Sequence, residues 1–278
     1  MYDESRMAQE PSRRPGRRAY FLIGLFALAL VLFPFLFWYG TWFGRALTDA
    51  EMDQYIIDTA KPRHIQHALV QLGERLSRGQ DGKRWYANVV KQAGNPSLEI
   101  RQTAAWIMGQ DRNSQAFHDA LLKMLADPQP MVRRNAALSL AGFGDPAARG
   151  ELAAMLRPYT VKAPQGGPVH YRLKAGDYVN PGTLLAHIGA TEVRSPVPGE
   201  VRAVDVAEGA TVKAGDAIAE LAADQNHVWE ALRALYLVGG PGDLEDVERF
   251  TRPMPGMSEK VVQQARLTMQ GIQSHAAH

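Results

Sequence analysis

Residues 19–44 contain no charged side chain, and a run of that length constrains everything around it. Fourteen of its residues are strongly apolar: Phe21, Leu22, Ile23, Leu25, Phe26, Leu28, Leu30, Val31, Leu32, Phe33, Phe35, Leu36, Phe37 and Phe43. At about −0.3 to −0.6 kcal/mol each, they favour a bilayer by about 4–8 kcal/mol. Tyr20 at one end and Trp38, Tyr39 and Trp42 at the other suit the headgroup layers. The sequence therefore predicts a single transmembrane helix over 19–44, with Pro34 kinking its last third. Arg13, Arg14, Arg17 and Arg18 precede the run, whereas Arg45 is followed by Asp49, Glu51 and Asp53. By the positive-inside rule, 1–18 is a cytoplasmic basic tail of an inner-membrane, single-pass protein. The remainder then lies in the periplasm, outside the cytoplasm. The competing reading is a cleaved signal peptide, but the apolar core is longer than a usual h-region.

The sequence has no cysteine, which excludes disulfides, thiolate zinc sites and iron–sulfur ligation. Lys and Arg total 31 against 29 acidic residues. That balance provides no overall field for nucleic acid, so proteins are the expected partners.

From 45 to 158 the chain alternates helical patterns with short polar breaks. Ile65, Ala68, Leu69, Leu72 and Leu76 recur at three- and four-residue spacing, the mark of an amphipathic helix. Ile100-Arg101-Gln102-Thr103-Ala104-Ala105 returns as Val132-Arg133-Arg134-Asn135-Ala136-Ala137, 32 residues later. Each copy runs to a glycine and is followed by a second helix, with Asp127-Pro128 and Asp145-Pro146 as breaks. An aliphatic-Arg start with paired alanines resembles HEAT-like repeats, in which small residues let two helices approach closely. Trp85, Trp106 and Trp229 are expected in the core.

The period changes at 159–223, where valine, glycine and proline give strand and turn signals. This segment also repeats internally. Val161-Lys162-Ala163-Pro164 answers Val193-Arg194-Ser195-Pro196, and Leu184-Leu185-Ala186-His187-Ile188 answers Ala217-Ile218-Ala219-Glu220-Leu221. The doubled motif resembles the biotinyl/lipoyl-type barrel-sandwich fold, whose family members carry their cofactor on a lysine at the tip between the halves. Here the tip reads Ile188-Gly189-Ala190-Thr191-Glu192-Val193, without lysine. No covalent biotin or lipoate is expected, and no other cofactor. Periplasmic adaptor (membrane-fusion) proteins share the fold without that lysine, but a long helical hairpin usually separates their halves.

Helical spacing returns over 224–278, with Ala231-Leu232-Arg233-Ala234-Leu235 opening what resembles another HEAT unit. The barrel-sandwich is then either inserted in the solenoid or placed in series with it. The fold class expected is α+β multidomain: a transmembrane helix, a HEAT-like α-solenoid and a small β insert.

Chemistry is sparse. His64 and His67 share a helix face but only Glu74 stands near as a further ligand, so both are expected at the surface. His170 and His187 fall in the two barrel halves, and His275 and His278 at the C-terminus. Gly239-Gly240-Pro241-Gly242 reads as a turn, and Asp243, Glu245, Asp246 and Glu248 as a solvated helix start. No catalytic, cofactor-binding or metal residue is assigned, and no enzyme activity is expected. The function expected is a non-catalytic, membrane-anchored scaffold or accessory subunit for integral-membrane or periplasmic proteins. A divergent adaptor of an efflux or export system is the alternative.

Overall fold

A computed structural model describes residues 17–41 and 45–276, in two compact units that divide after Thr48. In the first unit, α1 (Arg17–Thr41) continues through Pro34. Its side chains are described without a break over Tyr20–Leu36, and all of these are exposed. Among the described residues no helix is long and apolar enough to cross a membrane, which corrects the single transmembrane helix expected over 19–44. α1 opens on the charges of Arg17 and Arg18 and carries Pro34, whose missing N–H interrupts the helix ladder. Residues 1–16 of the basic tail expected at 1–18, Trp42, Phe43 and His278 lie outside the described residues, as do the side chains of Phe37, Trp38 and Tyr39.

The second unit begins with α2 (Asp49–Tyr55), α3 (Pro62–Ser77), α4 (Tyr86–Gln92), α5 (Leu98–Met108) and α6 (Gln115–Met124). It continues with α7 (Pro130–Gly142) and α8 (Arg149–Met155), and resumes after the strands with α9 (Gln225–Val238), α10 (Leu244–Glu248) and α11 (Glu259–Ala276). One layer stacks α3, α5, α7, α9 and α11 side by side, while α4, α6 and α8 pack behind it. Ala104, Ala105, Ala136 and Ala137 are fully buried where these helices meet, and their small size sets the close spacing. Polar bonds stitch the front layer. Gln66 Nε2 donates to Thr103 Oγ1 at 2.7 Å, Ser139 Oγ to the Ala105 carbonyl at 2.8 Å, and Thr268 Oγ1 to the Leu232 carbonyl at 2.7 Å.

The 32-residue repeat has a physical meaning in its arginines. Arg101 Nε bonds Asp127 at 2.8 Å while its Nη1 donates to the Asn95 carbonyl at 2.9 Å. Arg133 does the same toward Glu151 at 2.8 Å and the Asp127 carbonyl at 2.9 Å. Each arginine thus ties the loop before its own helix to an acid further along the chain, through charge-assisted bonds. Asn95 and Asp127 also accept from the backbone N–H two residues on, closing the same turn in both copies.

Eight strands form the insert: β1 (Tyr159–Lys162), β2 (Gly167–Tyr171), β3 (Tyr178–Val179), β4 (Leu184–Ile188), β5 (Thr191–Arg194), β6 (Gly199–Val204), β7 (Thr211–Val212) and β8 (Ala217–Leu221). They make two antiparallel four-stranded sheets, β1-β8-β6-β3 and β5-β4-β2-β7. The first four strands map onto the last four at offsets of 32 and 33 residues, so each sheet draws strands from both halves. Val161, Val169, Val179, Leu185 and Ile188 are buried, and so are their counterparts Val193, Val201, Val212, Ile218 and Leu221.

Tyr159 on β1 pairs with Leu221 on β8, so the strand domain begins and ends at one place. This lets α9 pack on α7 and α8, and the helical array continues across the insert. Three side-chain bonds cross the same junction. Arg149 reaches Asp243 at 2.7 Å, Arg157 reaches Asp246 at 2.5 Å, and Arg134 Nη1 meets His227 Nδ1 at 3.0 Å. Asp243 and Asp246 are therefore 6% and 5% exposed, not the solvated helix start expected of them. Arg157 and Arg249 hold the Asp246 carboxyl below the usual carboxylate range, with the Arg157 hydrogen bond as the largest cause.

Candidate functional site

Where α5, α7, α9 and α11 lie side by side, their outer faces enclose a groove of about 570 Å³. Trp106, Tyr236, Leu237 and Leu267 line it and remain 46%, 44%, 53% and 53% exposed. In the second unit only eight large hydrophobic side chains among the described residues are exposed. Half of them converge on this one groove. A clustering of that kind marks an interaction surface, whereas single exposed hydrophobics do not. Trp106 thus corrects the expectation that it is core, while Trp85 conforms to it, being 1% exposed and bonded to Asp53 at 2.7 Å.

Glycines shape the groove from beneath. A Cβ on Gly73 would come within 2.6 Å of the Trp106 ring, one on Gly271 within 2.8 Å of the Tyr236 ring, and one on Gly142 within 2.9 Å of Arg112 Nε. Trp106, Tyr236 and Arg112 are each seated against a glycine of another helix, and a methyl group there would displace them. In sequence these glycines look like ordinary helix breakers, and their partners stand 30 residues or more away.

The polar lining is asymmetric. Arg112 and Arg233 both face the groove, with Glu230 as its carboxylate. Desolvation by the surrounding protein, reinforced by Asp224, raises the pKa of Glu230, and nearby Arg233 only partly opposes this. Two cations approach the Trp229 ring, the Arg233 guanidinium at 4.7 Å and Lys260 Nζ at 3.4 Å from its centroid, an arrangement that orients both basic side chains.

The tip of the strand domain is the second place to look. β4 and β5 form a hairpin closed by Gly189 and Ala190. Gly189 takes φ +58° at the first turn position, as a two-residue loop of this kind requires. Gln165 Nε2 braces the turn by donating to the Ile188 carbonyl at 2.9 Å. The lysines of the domain stand elsewhere: Lys162 ends β1, and Lys174 and Lys213 sit in the loops before β3 and after β7. A cofactor amide-linked at the tip has no amine to bond, so these residues do not fit covalent biotin or lipoate.

The histidines are structural neighbours rather than a shared centre. His64 stacks on Tyr55 at 3.9 Å and bonds Asp58 at 2.8 Å, so it is half-buried and not the surface residue expected. His67 is half-buried as well, its ring 6.2 Å from Tyr55, and Glu74 pairs with Arg78 instead. His170 sits opposite His187 across β2 and β4 and pairs with Glu208 at 2.9 Å. Among the described residues no group of His, Asp and Glu could hold a metal ion.

Comparison with known proteins finds two sequence families. The HEAT-repeat profile matches residues 87–162, and the profile described as biotin-requiring enzyme matches residues 159–221. The chain thus carries a HEAT-repeat region and a biotinyl/lipoyl-type domain. No curated protein matches. A crystal structure of an engineered protein from the Northeast Structural Genomics Consortium aligns over 81% of this chain and 79% of its own, at 15% identity and a TM-score of 0.43.

Proposed function

We propose that this chain is a non-catalytic scaffold that holds other proteins in a bacterial membrane complex, respiratory or transport. The convergence of Trp106, Tyr236, Leu237 and Leu267 on one groove carries this reading. The lysine-free tip supports it by leaving the strand domain as a rigid body rather than a swinging carrier. Attachment to the complex rests in this reading on α1, whose mostly apolar side chains over Tyr20–Leu36 are exposed, a surface suited to cover by another protein. The absence of cysteine is compatible with an extracytoplasmic, oxidising location.

The test is purification of the full chain from native membranes in mild detergent, followed by identification of what accompanies it. Reproducible integral-membrane companions support the proposal, and a chain recovered alone refutes it. The adaptor reading shares the lysine-free tip but has less support, because Gly189 and Ala190 alone join the two halves. Crosslinking to a trimer or hexamer would favour it.

A further inference from the structure

The groove has a charge as well as a shape, and the two together narrow what can fill it. Of its lining residues, Arg112 and Arg233 are basic and Glu230 is acidic. Among the described residues neither arginine forms an ion pair with a carboxylate, and Lys260 adds a third cation on Trp229, whose ring Arg233 also meets. Arg112 is also held in place: its guanidinium rests where a side chain on residue 142 would otherwise be, against Gly142. The apolar floor between the basic groups is made by Trp106, Tyr236, Leu237 and Leu267.

Resting on the scaffold reading above, we infer that the groove docks an acidic amphipathic segment of a partner protein, with apolar anchors on the floor and carboxylates against Arg112 and Arg233. A basic segment would bring like charge to both walls, which costs binding and suppresses wrong partners. A wholly apolar segment would cover two guanidinium groups while supplying no carboxylate to either. An acidic amphipathic segment satisfies both parts of the surface at once. Guanidinium groups are suited to the role because their planar forks meet carboxylates with two parallel bonds.

The experiment uses the full chain in mild detergent and two labelled peptides of about 16 residues, about 24 Å as a helix. Both carry leucine at helical spacing; one has glutamate on its polar face and the other lysine. Fluorescence anisotropy reports binding, and comparing the tryptophan emission of the chain with that of a Trp106→Phe variant locates it among the five tryptophans. The expected result is saturable binding of the glutamate peptide, with a blue shift of the tryptophan emission, and at least about tenfold weaker binding of the lysine peptide. Joint substitution Arg112→Glu and Arg233→Glu should reverse the preference, and Leu267→Asp should weaken both peptides. Arg202→Glu, on the exposed face of β6, should change neither. Equal binding of the two peptides, an unchanged preference in the double variant, or no binding by either peptide overturns the inference. So does a chain that dimerises through the groove and becomes monomeric in the double variant. The same double variant separates this claim from the one it rests on. If membrane partners co-purify equally with the double variant and the unsubstituted chain, the groove assignment fails while the scaffold stands. If the unsubstituted chain brings no partner, the scaffold itself fails.

Discussion

Two glycines in equivalent settings should respond oppositely to the same substitution. Gly73 lies inside α3 and Gly271 inside α11, and at either site alanine gains about 1 kcal/mol of helix propensity. What the added methyl meets decides the rest. At 73 it would come within 2.5 Å of Ile107 Cδ1 and 2.6 Å of the Trp106 ring, and Ile107 is 0% exposed. A buried isoleucine has nowhere to go, and overpacking of this kind costs about 1–3 kcal/mol. Gly73→Ala should therefore leave stability unchanged at best and lower it by up to about 2 kcal/mol. At 271 the methyl would come within 2.8 Å of the Tyr236 ring, but that ring is 44% exposed and can swing outward. Gly271→Ala should be neutral to stabilising by up to about 1 kcal/mol, while reshaping the groove wall. Urea denaturation of the full chain, followed by far-ultraviolet circular dichroism, measures both midpoints. Equal stabilisation by the two substitutions would refute the packing argument, because it would mean that Ile107 and Trp106 yield as freely as Tyr236.

Three further outcomes follow, two of them from the junction between helices and strands. Burial, together with Arg134, lowers the pKa of His227 from its ordinary 6.5, so the unfolded chain takes up that proton first. Stability should therefore fall as pH drops below about 6.5 toward the lowered value; His227→Gln should flatten that part of the curve, read from denaturation midpoints between pH 8 and about 5. Asp224 caps α9 by accepting from the N–H groups of Asn226 and His227, and it accepts from Tyr178 Oη at 2.8 Å. Asp224→Ala should cost about 1–3 kcal/mol. It should also return Tyr178, now raised to about 12 chiefly by burial and then by Asp224, toward 10 in an ultraviolet titration. Finally, the intact mass of chain co-expressed with a biotin ligase in excess biotin should show no added biotin, and a stoichiometric adduct would contradict the fit of the tip.

Local regularities were legible in the sequence, and long-range pairings were not. The 32-residue repeat around Arg101 and Arg133 marks the helical array because each copy solves the same packing problem with the same residues. The doubled valine pattern marks the sheets for the same reason, and the lysine-free tip is visible in the string Gly189-Ala190. By contrast, Asp243 and Asp246 read as a hydrated helix start because Arg149 and Arg157, which bury them, lie about 90 residues earlier. Trp106 reads as core because large aromatics usually are; only the placement of α9 and α11 beside α5 and α7 reveals the open face it lines. The glycines that seat the groove residues carry no sequence signal of their role, since the contact each permits is made by another helix. The apolar run at 19–44 is conspicuous, yet among the described residues no helix is long and apolar enough to cross a membrane.

The pairing of Tyr159 with Leu221 also bears on the entropy of joining the two parts of the array. α8 ends at Met155 and α9 starts at Gln225, so the spine cannot be completed until about 70 intervening residues are drawn into a closed loop, an entropic cost of about 4 kcal/mol. Once the two sheets have formed, that closure is already made, and α9 emerges next to the surface it must cover. The inserted domain acts as a clasp: shut, it holds the two parts of the array together, and a lesion that opens it returns the closure cost to the helices.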